Sequence, residues 1–204
     1  MPAREDVLRE ILTTEHSYVR QLSKLESRWQ RPLKKLDAAG AEQLFGDEVS
    51  LISSLHRQLL DHLIGRLIDF SSLPKQKKRT GTLSSLPNVF EAALLEPENA
   101  RVADIFFKFG PFLKLYKKFC ARHDRALAFA EKASAVKKLM KKQNKTAREP
   151  LTLSGLRRLM IAPVQRLPRY ILLLSELLRH TASDHADYGD LQAAVALLRT
   201  NTEW

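Results

Sequence analysis

From the eighth residue on, apolar side chains recur at Leu8, Ile11, Tyr18, Leu22, Leu25 and Trp29, with Glu15 on the same stripe. Spacings of three and four residues predict an amphipathic helix. It should reach to about Leu36 and end at an Ala38-Ala39-Gly40 break. A second helix is predicted over about 42–70, with Leu44, Ile52, Leu55, Leu59, Leu63 and Leu67 inward. The polar stretch SSLPKQKKRTGTLSSLP then reads as an exposed loop. Shorter helices follow over 89–95 and 100–122, the latter with Phe106, Phe109, Leu113, Tyr116 and Cys120 on one face and a bend at Gly110-Pro111. A basic amphipathic helix is predicted over 126–143, the linker NKTAREP stops at Pro150, and a long helix covers about 153–181. A last helix begins near Asp187 and still lacks a capping signal at Trp204. Period-two alternation is scarce and there are seven glycines. The pattern therefore predicts an all-α, elongated bundle of long helices, one domain over 1–204. The uncapped end is expected to continue in a longer protein.

Within the long helix the stripe Met160, Val164, Leu167, Ile171, Leu174, Leu178 meets an obstacle. Pro163 and Pro168 lie inside it, with Gln165-Arg166 between them. An interior proline removes a backbone donor and crowds the carbonyl four residues back, at about 3 kcal/mol or more. The expected result is a core-packing face on a helix bent in its first turns, carrying a polar shoulder.

Composition narrows the class. Hydrophobic residues make up 44% of the 204 and charged residues 28%, a globular balance. No apolar run is long enough for a transmembrane helix, and MPAREDVLRE is charged from the start, unlike a signal peptide. The lone Cys120 cannot form an internal disulfide. No GxxxxGK[ST], GxGxxG, GxSxG or HExxH occurs. None of the six histidines pairs at i, i+4 with another histidine or with the cysteine, which argues against zinc. The net charge of +11 is uneven, with +7 of it between Glu131 and Arg158. Lys137, Lys138, Lys141, Lys142 and Lys145 concentrate that charge, as a solvated face or as a contact to nucleic acid, an anionic membrane or an acidic protein. Aromatic interleaving, which single-stranded nucleic acid would need, is absent from the row, so no nucleic acid is expected.

One carboxylate stands out. Glu15 lies on the apolar stripe of the first helix, where a charge is costly unless it is paired or placed at an opening. Either it pairs with an arginine elsewhere, or it is presented where the surface is uncovered.

Four stretches bear on both anomalies: AREDVLREILTTEHSYVRQLSKL, LFGDEVSLISSLHRQLLDHL, VADIFFKFGPFLKLYKKFCARHDRALAFAEKA and LRRLMIAPVQRLPRYILLLSELLRHT. They resemble the signature blocks and second helix of Dbl-homology domains, the exchange modules for Rho-family small GTPases. PVQRLPRYILLL carries the most specific likeness, and the resemblance spans residues 4 to 204. It implies an all-helical bundle with no catalytic nucleophile, no cofactor and no metal, which prefers the nucleotide-free GTPase and expels bound nucleotide. It implies that Glu15 engages the backbone of the first switch, and that Gln165 and Arg166 either touch the GTPase or orient Glu15. Two positions depart from the family pattern. Ala162 stands where many members have lysine, so the contact with the second switch is missing or is taken over by Arg158. Arg199 stands where many have asparagine, with Asn201 two residues on, and either could reach the second switch. The alternatives are a catalytically weak GTPase-binding module, favoured by Ala162, and a basic bundle for membranes. The resemblance further implies a cytoplasmic or membrane-associated protein, often with a pleckstrin-homology domain following.

Overall fold

The computed structural model describes residues 3–69 and 94–200. The described residues are all-α, with helices α1 (Arg4–Leu25), α2 (Arg31–Leu36), α3 (Ala38–Phe45), α4 (Glu48–Leu67), α5 (Ala103–Phe109), α6 (Lys114–Lys132), α7 (Ser134–Gln143), α8 (Leu153–Arg179) and α9 (Tyr188–Thr200). The sole β feature among them is an isolated bridge between Ile68 and Leu94. The expected loop over 71–87 and most of the expected helix over 89–95 lie outside the described residues, and the end of that helix, Leu94-Leu95, is not helical. No helix among the described residues is long and apolar enough to cross a membrane.

The first predicted helix continues to Leu36, but through a π-helical turn, Glu26–Gln30, closed by the bond from Arg31 N to Glu26 O. Every residue of its stripe, Glu15 included, is buried. The break falls at Asp37, not at Ala38-Ala39-Gly40, which open α3 instead. Asp37 is extended (φ −154°) and its carboxylate accepts from Gly40 N at 2.8 Å, an N-cap that satisfies an otherwise orphaned donor. The helix expected over 42–70 is interrupted at Gly46, whose φ of +56° suits glycine. A side chain there would also collide with the Arg122 guanidinium.

The segment expected as a helix over 100–122 bends where Gly110-Pro111 foretold: a 3₁₀ turn, Gly110–Leu113, links α5 to α6. The basic helix expected over 126–143 is divided, because Ala133 takes an extended ψ of 120° between α6 and α7. α8 matches its expected span closely and runs uninterrupted through Pro163 and Pro168. Its inward face needs correction. Met160, Leu167 and Leu174 are buried as expected, but Val164, Ile171 and Leu178 are half-buried, and the fully covered positions are Leu156, Pro163, Tyr170 and Leu177. An aliphatic-only stripe left out the proline and the tyrosine, which rotated the reading by about one residue.

The described residues form two compact units. The first comprises the described parts of Met1–Val19, Leu55–Leu113 and Leu167–Trp204. Its core includes Leu8, Ile11, Leu59, Leu63, Phe106, Tyr170, Leu174 and Leu191. Asp187, fully buried, does there what no side chain next to α5 can do. It accepts from Val102 N at 2.8 Å and Ala103 N at 3.3 Å, capping α5 from the connection before α9. Buried Arg4 joins that connection, donating to Thr181 Oγ1 at 3.1 Å and to Ala100 O at 2.6 Å.

The second unit comprises Arg20–Ser54 and Lys114–Arg166. Its core includes Leu22, Trp29, Leu33, Leu44, Ile52, Tyr116, Phe119, Leu139 and Leu156. Arg122 braces the Gly46 turn, pairing with Glu48 at 2.9 Å and donating to the carbonyls of Gln43 (2.8 Å) and Glu42. Thr152 caps α8 by accepting from Gly155 N at 3.0 Å.

Candidate functional site

Within the first unit, parts of three helices converge on Glu15. The α1 stripe points it inward, where α4 presents His56 and α8 presents Tyr170, and all three side chains are covered, at 0%, 0% and 1% exposure. His56 Nδ1 lies 2.7 Å from Glu15 Oε1. The Tyr170 hydroxyl donates to Glu15 Oε2 and lies 3.2 Å from His56 Nδ1. With the His56 proton on Nδ1, both groups act as donors to one carboxylate. Rings enclose the cluster: Tyr18 meets His56 edge-on at 4.8 Å, Tyr170 is parallel to His56 at 6.1 Å, and Phe106 meets Tyr170 edge-on at 5.3 Å.

The expectation of a carboxylate at an uncovered opening is thus corrected. A buried carboxylate is retained because charge-assisted hydrogen bonds offset part of its desolvation. His56 and Tyr170 were missed as its partners. Tyr170 closes the PVQRLPRY block, and His56 lies four residues after Ile52 and three before Leu59 on the buried face of α4. A histidine on one apolar face and a glutamate on another were the available signal.

The remaining expected site residues differ in exposure. Arg166 is buried, Gln165 exposed and Ala162 half-buried, all in the first part of α8 and all in the second unit. Arg199 is exposed near the end of α9, in the first unit. Asn201 lies outside the described residues.

The lysine row has its own geometry within the second unit. α7 buries Val136 and Leu139 and exposes Lys137, Lys138, Lys141 and Lys142, with Lys145 exposed just beyond its end. Among the described residues none of these five forms an ion pair, whereas the nearby Arg157 pairs with Glu131.

Comparison of the sequence with known proteins names the family. A family model described as the RhoGEF domain matches residues 7–203. The chain belongs to the RhoGEF domain family. It is 25% identical over 203 residues to "Guanine exchange factor for Rac 30" of Dictyostelium discoideum, which covers 98% of this chain and 11% of that protein. The RhoGEF chain thus spans about a tenth of that relative's length. Among solved structures it is similar to the DH domain of FARP2, with a TM-score of 0.66, 25% identity, and 99% and 89% of the two chains covered. It shares its fold with the DH/PH domains of PDZ-RhoGEF, solved in complex with activated RhoA. There the TM-score is 0.68 at 20% identity, over 97% of this chain and 51% of that one. Membership confirms the family and the all-α class that the four sequence blocks implied.

Proposed function

We propose that this RhoGEF domain binds a Rho-family small GTPase and promotes release of its GDP by remodelling the switch segments. The observation that carries the proposal is one RhoGEF family model running without division across residues 7–203. We take that stretch as a single functional domain of a cytoplasmic protein. The chemistry needs no covalent step. A module that binds the nucleotide-free GTPase more tightly than the loaded form must, by linkage, weaken nucleotide affinity by the same factor. Exposed Gln165 and Arg199 and half-buried Ala162 are offered as contact positions, with Asn201 and Arg166. Glu15, wholly covered and bonded to His56 and Tyr170, is not offered as a contact.

The test is release of a fluorescent guanine nucleotide from a panel that includes Rac- and RhoA-type GTPases. Release accelerated by catalytic amounts of the chain is the expected result. Binding of the nucleotide-free GTPase without acceleration would instead support the degenerate module that Ala162 suggests.

A second surface has its own supporting observation. The five exposed lysines on and beside α7, without an ion pair among the described residues, favour an anionic membrane over an acidic protein groove. Lysine is a flexible point charge suited to a diffuse array of headgroups, where paired recognition of a fixed anion favours arginine. Binding to vesicles containing phosphatidylserine, lost at high salt, is the expected behaviour. No binding to such vesicles at low salt would leave the row as a solvated face.

A further inference from the structure

We propose that Thr146 is a phosphorylation site for a kinase that reads basic flanking residues, and that phosphate there releases the lysine row from an anionic membrane. The release rests on the membrane reading above, and the modification does not. α7 ends at Gln143, and in the turn that follows Thr146 N donates to Gln143 O at 3.3 Å. The connection from there to α8 is fastened near both ends. Asn144 clamps Leu151 across it, its Nδ2 donating to Leu151 O at 2.9 Å and its Oδ1 accepting from Leu151 N at 2.6 Å. Arg28 holds Glu149, donating to its backbone carbonyl, with Nη1 3.4 Å from Oε2. Between these fastenings Lys145, Thr146 and Arg148 are exposed and outside any helix. A modifying enzyme reaches such a segment without unwinding a helix.

The hydroxyl of Thr146 differs from other exposed ones. Thr13, Ser27 and Thr200 each donate to a carbonyl one turn back in their own helix, at 2.7, 2.6 and 3.2 Å. The Thr146 hydroxyl has no hydrogen-bond partner among the described residues. Lys142 and Lys145 precede it and Arg148 follows it, and none of the three forms an ion pair among the described residues. Cations on both sides of an acceptor hydroxyl suit a kinase whose peptide cleft is lined with carboxylates, because charge pattern is one means by which kinases choose substrates. In the transfer, the Thr146 oxygen forms a bond to the γ-phosphorus of ATP and the bond from that phosphorus to the β,γ-bridging oxygen breaks. ADP leaves, and the hydroxyl proton passes to the base of the kinase. The phosphate carries about two negative charges at pH 7. It is attached to the residue next to Lys145, at the end of the row that Lys137, Lys138, Lys141 and Lys142 begin. Added there, it cancels part of the attraction of the row to anionic headgroups.

The experiment treats the folded chain with the catalytic domain of protein kinase C and Mg-ATP, and maps the phosphate by mass spectrometry. It then measures binding to vesicles of phosphatidylcholine and phosphatidylserine at low salt. About one phosphate per chain at Thr146 is expected, lost in Thr146→Ala and slowed about tenfold in the double variant Lys145→Ala with Arg148→Ala. All three side chains are exposed, so melting midpoints should match wild type. Phosphorylation should weaken vesicle binding about tenfold or more, Thr146→Glu, with one charge, about threefold, and Thr146→Gln not at all. Absence of phosphate at Thr146 in the folded chain would overturn the modification. Equal vesicle binding before and after phosphorylation would overturn the release. An unmodified chain that does not bind these vesicles would remove the membrane reading and the release with it, while phosphate mapped to Thr146 would still establish the modification.

Discussion

Glu15 and the lysines of α7 are charged residues on amphipathic helices, and the fold treats them oppositely. Glu15 sits on the apolar stripe of α1, is wholly covered, and meets donors from two other helices. The lysines flank the apolar stripe of α7, keep their ammonium groups in water and have no ionic partner among the described residues. A charge is costly where it is enclosed and nearly free where it is solvated, so only the first requires a constructed environment. The difference teaches where substitution should hurt: enclosed charges couple to folding, solvated ones to long-range attraction.

The sharpest way to break that contrast is Glu15→Ala. It removes from the core the acceptor shared by the Tyr170 hydroxyl and His56 Nδ1, at about 1–3 kcal/mol. In a domain of this size each kcal/mol lowers the melting midpoint by about 2–4 °C. A lower midpoint is expected, measured by thermal denaturation. A midpoint equal to wild type would mean that the enclosed charge is not coupled to the fold.

Asp187→Ala extends the contrast to a second enclosed carboxylate. It removes the cap from Val102 N and Ala103 N and an anionic neighbour from Arg4, whose Nη2 lies 4.0 Å from Asp187 Oδ2. Burial lowers the Arg4 pKa against the pull of Asp187, which raises it, so removing the carboxylate leaves a cation enclosed with less support. The expected loss is about 2–4 kcal/mol in urea denaturation, with faster amide exchange at Val102 and Ala103. Amide exchange that stays slow would show that another acceptor serves these donors.

Ala162→Lys tests the half-exposed middle ground. A new ammonium at this position should raise nucleotide release by up to about tenfold, corresponding to about 1.4 kcal/mol. If the rate is unchanged on every GTPase and the melting midpoint is also unchanged, Ala162 does not face the partner.

The smallest effect on exchange is expected from Lys137→Glu with Lys141→Glu. Release in solution should stay within about threefold, or about 0.7 kcal/mol. Vesicle binding should weaken strongly, since each cation near an anionic surface contributes about 1 kcal/mol. A loss of exchange beyond about tenfold without vesicles would place the GTPase on the lysine row.

Particular residues show how much could be read beforehand. The stripe from Leu8 to Trp29 and the span of α8 were legible because long runs repeat the helical period many times. The boundaries at Asp37, Gly46 and Ala133 were not, because each depends on one residue's backbone and on a distant brace such as Arg122. At the candidate site, Glu15 stood out as a charge out of place. Its partners did not, since a histidine 41 residues away and a tyrosine 155 residues away become neighbours only through tertiary packing. Asp187 is the same case: it caps a helix that begins 84 residues before it in the chain.

The π-helical turn at Glu26–Gln30 bears on how relatives should be aligned. Pro32 cannot donate to the Arg28 carbonyl four residues back, and Gln143 Nε2 donates to that oxygen instead, at 3.2 Å. The wider turn amounts to one additional residue wound into an otherwise α-helical rod, and each residue of an α-helix advances the surface by about 100°. A related chain with one residue fewer here could present the same faces before and after this point simply by closing into ordinary α-helix. Single-residue insertions and deletions between the tryptophan stripe and the proline should therefore be gained and lost easily over evolution. An ungapped alignment through this point would put every following position of that helix on the wrong side.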